Sequence, residues 1–152
     1  MVEIVRQEHA LTRPWVTKIL RDSGCPVRDE KCHARAIYEW VLDRFYWVND
    51  PVLEETLVWP VRFLKEIDEH GSVLADCASV NMALVSLLGA VGIRAVFMFG
   101  GDGATEGSDP VVYHVWTGMQ FDGKDYFLEP TAYLPAGRAH RWPKMFAKDP
   151  WQ

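Results

Sequence analysis

The sequence predicts an α+β fold, and three observations predict it. Through the first half, apolar residues recur at helical spacing between Pro, Gly and Asp punctuation. Residues 77–91 are apolar on nearly every side, the mark of a helix buried inside a domain. The second half holds two strand-like runs joined by Asp122-Gly123, a strong two-residue hairpin signal. Helices followed by an antiparallel sheet, packed on one central helix, make an α+β arrangement. At 152 residues, 49% hydrophobic and 24% charged, the chain reads as a single globular domain over residues 1–152.

Residues 2–12 carry no readable pattern. Thr12-Arg13-Pro14 can start a helix, because Pro is tolerated in the first turn. Trp15, Val16, Ile19 and Leu20 give that helix an apolar stripe, and Gly24 with Pro26 ends it. Asp29 can cap a longer helix in which Ala34, Ile37, Tyr38, Val41, Leu42 and Phe45 keep helical spacing. Asn49-Asp50-Pro51 is a turn, Val52 to Trp59 reads as extended chain, and Pro60 opens a short helix closed by Gly71.

The central helix begins at Cys77. Asp76 is a good N-cap, since its carboxylate can accept N–H bonds that the first turn leaves orphaned. Val80, Leu84, Leu87, Leu88 and Val91 fall on one face, and Gly92 supplies a left-handed stop. Ala95 to Phe99 reads as a buried strand, residues 100–110 as a loop, Val111 to Met119 and Asp125 to Glu129 as paired strands. The loop's small residues Gly100, Gly101, Gly103, Gly107 and Ser108 suggest a mobile border to a cleft. The tail from Leu134, with Arg138, Arg141, Lys144 and Lys148, reads as a solvated segment.

The hairpin makes a geometric statement. If Asp122 and Gly123 are the loop, Phe121 pairs with Lys124, Met119 with Tyr126, Trp116 with Glu129 and His114 with Thr131. Residues two apart share a face, so His114, Trp116 and Glu129 point the same way. A carboxylate beside an imidazole fixes its tautomer and favours its charged form. A thiol at a helix N-terminus has the unpaired N–H groups and macrodipole that favour thiolate, although the charge of Asp76 opposes this unless it is spent on capping. Cys77, His114 and Glu129 are then nucleophile, base and orienter. His114 would take the thiol proton, the thiolate would attack an amide or ester carbonyl, and the Cys77 N–H would receive the oxyanion.

At these residues the chain resembles the transglutaminase-like superfamily of papain-related folds. The likeness runs from Cys77 through Leu84, Leu87, Leu88, Gly92 and Ile93, to His114-Val-Trp116, and to Glu129-Pro130-Thr131. It covers about residues 35–135, and it implies Cys77, His114 and Glu129 as the catalytic positions. Glu129 stands where the family usually has Asp, and Trp40, Trp47 and Trp59 are of the right type for its upstream oxyanion-hole residue. The stretch from Ile37 to Pro60 resembles transglutaminase-like proteins of tailed phages and prophages, which more often read Asp-Cys-Asp-Asp where this chain has Asp-Cys-Ala-Ser.

The resemblance implies acyl transfer on amide bonds of a protein or peptide substrate through a thioester. A small domain without a calcium-site motif is more in keeping with a peptidase or amidase than with cross-linking. Trp59, Asp76 and Trp116 are the candidate cleft-lining residues, and no cofactor is implied. The alternative, from another class, is a non-catalytic phage or prophage protein that uses the fold as a binding or assembly module. A net charge of −5 argues against a nucleic-acid partner, and no apolar run reaches the roughly 18 residues of a membrane span. Three cysteines behind a charged first segment point to reduced thiols and a cytoplasmic setting. Cys25 and Cys32-His33 lack zinc-pair spacing and a second pair, so they read as inert thiols and no metal is expected.

Overall fold

The computed structural model describes residues 1–49, 56–102, 111–132, 134–138 and 144–152. Its element order is α1 (Val2–Glu8), a 3-10 turn (His9–Thr12), α2 (Arg13–Ser23), α3 (Glu30–Leu42), β1 (Phe45–Trp47), α4 (Pro60–His70), β2 (Val73–Ala75) and α5 (Cys77–Ala90). β3 (Val96–Asp102), β4 (Val111–Phe121), β5 (Lys124–Leu128), a second 3-10 turn (Pro130–Ala132) and β6 (Lys144–Lys148) follow. This is the α+β architecture: helices packed on an antiparallel sheet of order β5-β4-β3-β6, with a small parallel pair β1-β2 beside it.

The local signals act where they stand in the chain. Pro14 and Pro60 sit in the first turns of α2 and α4, and Gly24 and Gly71 close them in the left-handed region at φ 70° and 78°. The Asp29 carboxylate accepts the Cys32 N–H at 2.9 Å and starts α3. α5 is buried from Ala78 to Leu88 and touches α1, α2, α3, α4, β3 and β4, so it is the centre of the domain. A helix apolar on nearly every side can sit there because it has no face that needs water. Asp122 and Gly123 both take positive φ, 52° and 73°, which the tight turn requires, and β4 pairs with β5 in the expected register: Phe121 with Lys124, Met119 with Tyr126, Thr117 with Leu128.

Other expectations are corrected. Phe45 belongs to β1, not to the preceding helix; its ring is buried while its backbone runs beside Val73. Residues 2–12 form α1 and a 3-10 turn, whose Thr12 hydroxyl reaches the His9 and Ser86 carbonyls. Gly100 and Gly101 are strand rather than loop: β3 runs on to Asp102, with a bulge between the two glycines. β5 stops one residue earlier than read, at Leu128, because Pro130 opens a helical turn. Part of the supposedly solvated tail is β6, an edge strand on β3. The last residues are anchored as well: the Trp151 indole donates to the Ala95 carbonyl at 2.9 Å and lies against Gly89. Cys25 and Cys32 are not separate reduced thiols but a disulfide joining the end of α2 to the start of α3. Pairing two of the three cysteines removes the odd-count argument for a reducing compartment. The turn at Asp50-Pro51, the first half of the extended run from Val52, and the loop positions Gly103, Gly107 and Ser108 lie outside the described residues.

Candidate functional site

Cys77 opens α5 and is half-buried, the one free cysteine among the described residues. Asp76 precedes it in an extended conformation and caps the helix. One carboxylate oxygen accepts the Ser79 N–H at 2.9 Å and the other the Ala78 N–H at 3.3 Å. The capping therefore engages both oxygens. It also leaves the Cys77 N–H with no partner among the described residues, pointing out of the helix end as an oxyanion donor would.

His114 comes from β4. Its Nε2 lies 2.9 Å from Glu129 Oε1, and the Thr131 hydroxyl is 3.4 Å from the same nitrogen. The Cys77 side chain also acts on the imidazole and favours its charged form. With Nε2 on the carboxylate, Nδ1 is the nitrogen left for the thiol. Burial pushes the imidazole towards its neutral form. The hydrogen bonds and charges of Cys77 and Glu129 outweigh that and hold His114 protonated up to about 9. The Glu129 side chain is 1% exposed. A carboxylate that far from water needs a charged or hydrogen-bonding partner, and the imidazolium supplies both.

Glu129 also stands near Tyr38 of α3. Burial, and next the charge of Glu129, raise the Tyr38 phenol above its ordinary range. The phenol stays protonated and donates to the Leu134 carbonyl at 2.5 Å.

Asp76 and Trp116 are not open cleft wall. Asp76 is buried in its capping role, and Trp116 is 1% exposed with its ring stacked on His114, centroids 5.8 Å apart. Both are neighbours that shape the thiol and the imidazole from within. Trp59 differs: it is 44% exposed at the N-terminus of α4. The preceding Val58 N–H donates to the Ser79 hydroxyl at 2.9 Å, which docks that segment on the first turn of α5.

Asn81 escaped the sequence reading. Fully buried one turn after Cys77, it donates its amide to the Cys77 carbonyl at 2.8 Å and to the Val115 carbonyl at 2.9 Å. Its carbonyl oxygen accepts the Thr117 hydroxyl at 2.7 Å. One side chain thus ties the first turn of α5 to the strand that carries His114. The available signal was a polar residue inside a helix apolar on all sides, since a buried amide must find partners. Among the described residues no group of three His, Cys, Asp or Glu could hold a metal. No helix there is long and apolar enough to cross a membrane.

No family model matches the chain, and no curated protein matches it significantly. Among solved structures the fold is similar to one from Parabacteroides distasonis ATCC 8503, described as a "putative protease", with a TM-score of 0.61 and 16% identity. The match covers 78% of this chain and 22% of that one, so this chain spans under a quarter of that protein's length. At that identity the likeness shows a shared fold.

Proposed function

We propose that the chain is a transglutaminase-like cysteine enzyme that cleaves amide bonds in protein or peptide substrates. Cys77 is the nucleophile, His114 the base and then the acid, and Glu129 the residue that orients His114. The observation that carries this reading is the part-buried His114 imidazole, 2.9 Å from Glu129 and held in its charged form by Cys77 and Glu129 together. The likeness to a solved structure described as a "putative protease" supports the peptidase class.

In this mechanism the thiolate adds to the substrate carbonyl and the Cys77 N–H takes the developing oxyanion. His114 gives its proton to the leaving amine as the C–N bond breaks, leaving a thioester. Neutral His114 then draws a proton from water, and the hydroxide displaces the thiolate. Glu129 keeps Nε2 protonated, so Nδ1 stays the working nitrogen. An amine in place of water would give transamidation by the same steps. A phage or prophage setting belongs to the same reading.

The test is thiol chemistry first and turnover second. Iodoacetamide should label Cys77 quickly near neutral pH, and His114→Ala should slow that labelling. A labelling rate no higher than that of a thiol in the unfolded chain, or one indifferent to His114→Ala, would replace the enzyme reading with a non-catalytic binding or assembly module.

A further inference from the structure

Among the described residues β2 has one free edge. The Val73 N–H donates to the Arg44 carbonyl at 2.9 Å, and the Ala75 carbonyl accepts the Val48 N–H at 3.1 Å. Alternate residues of a strand direct their main-chain groups to opposite edges, so those of Leu74 face away from β1. Neither the N–H nor the carbonyl of Leu74 has a partner among the described residues, and its side chain is 65% exposed. An unpaired edge is a template for another extended chain.

A groove of about 500 Å³ is lined by Ser72, Val73 and Leu74 together with Thr56, Leu57 and Val58. Both segments are fastened to the candidate catalytic helix. β2 runs through Asp76 directly into α5, and the other segment is pinned by the Val58 bond to Ser79. Leu74 is three residues from Cys77, at most about 10 Å along an extended chain. Where α4 borders the groove, Glu66 lies 3.5 Å from Arg62 and 3.8 Å from His70, so those charges are balanced locally. The groove therefore offers main-chain pairing and apolar walls rather than a net charge.

The geometry points to a substrate subsite in which an extended polypeptide segment adds as a strand to β2. One of its residues exchanges both main-chain hydrogen bonds with Leu74, its flanking side chains meet Leu57 and Val58, and its scissile amide lies at Cys77. This inference rests on the assignment of Cys77 as nucleophile, and the experiment separates the two.

The probe is acetyl-Val-Ala-Val-Ala chloromethyl ketone, compared with acetyl-Ala chloromethyl ketone and with iodoacetamide. Strand addition predicts that the longer peptide labels Cys77 about tenfold faster than the shorter one, with saturation. N-methylation of each internal amide in turn should abolish that advantage at one position and leave it at the next, because only alternate residues face the edge. Leu74→Pro removes the protein donor and should bring the parent peptide down to the rate of its N-methylated form. If the peptides differ little, or N-methylation acts equally everywhere, the subsite is overturned even when iodoacetamide labels Cys77 rapidly. If iodoacetamide also fails, the nucleophile assignment falls and the subsite with it. Because N-methylation is read on the unmodified protein, a Leu74→Pro chain that does not fold leaves the result standing.

Discussion

The two ends of α5 are equally buried and differently held. At the start, Asp76, Ser79 and Asn81 spend their polar atoms on named partners 2.7 to 3.3 Å away. Towards the end, Leu84, Leu87 and Leu88 are fully buried, and Trp151 fills the space over Gly89. Directional bonds fix the start in angle and in distance. Apolar packing fixes the end by volume, which tolerates small shifts. The contrast teaches that stability and site geometry are assigned to different ends of one helix.

The comparison predicts that substitutions late in the helix cost stability and substitutions at its start cost reactivity. The largest effect on stability should come from Leu84→Ala, about 2–5 kcal/mol by urea unfolding. Iodoacetamide labelling of the Cys77 that remains folded should not change. A large drop in that rate would break the comparison, because it would mean the core also sets the site.

His114→Ala should slow Cys77 labelling by about a hundredfold, equivalent to about 2.7 kcal/mol, and abolish amide hydrolysis. Glu129→Gln should slow labelling less, because the carboxylate acts on the thiol only through the ring. Equal losses in the two variants would instead make Glu129 a direct partner of the thiol.

Asn81→Leu sharpens the comparison. It strands the Thr117 hydroxyl and the Val115 carbonyl, at about 1–3 kcal/mol for a buried polar group left unpaired. It should also slow Cys77 labelling by about tenfold, since the start of α5 loses its tie to the His114 strand. Thr117→Val in the same background should recover stability but not rate. Recovery of both would mean that Asn81 acts through stability alone.

The last effect is a dependence on pH. His114 has its folded value raised from 6.5 to about 9. The stabilisation it contributes is therefore full below pH 6.5 and is lost as pH rises through about 9. The stability difference between the wild-type chain and His114→Gln should narrow over that window. A constant difference from pH 6 to 10 would show that His114 is not held charged by its two neighbours.

What the sequence determined by itself is local. Asp29 and Asp76 cap helices because a carboxylate reaches N–H groups two or three residues onward, a distance set by the backbone alone. The Asp122-Gly123 turn set the β4-β5 register because a two-residue loop admits one pairing, and that register carries His114 to the side of Glu129. What only the tertiary structure decided depends on groups far apart in the chain. Asn81 reaches Val115 and Thr117, 34 and 36 residues away. β1 finds β2 in parallel, and β6 finds the far edge of β3. Spacing and propensity act over a few residues, whereas these pairings follow from which surfaces remain to be covered once the central helix is buried. The side of the sheet that received Asn81, and the edge of β2 left open at Leu74, were settled at that stage.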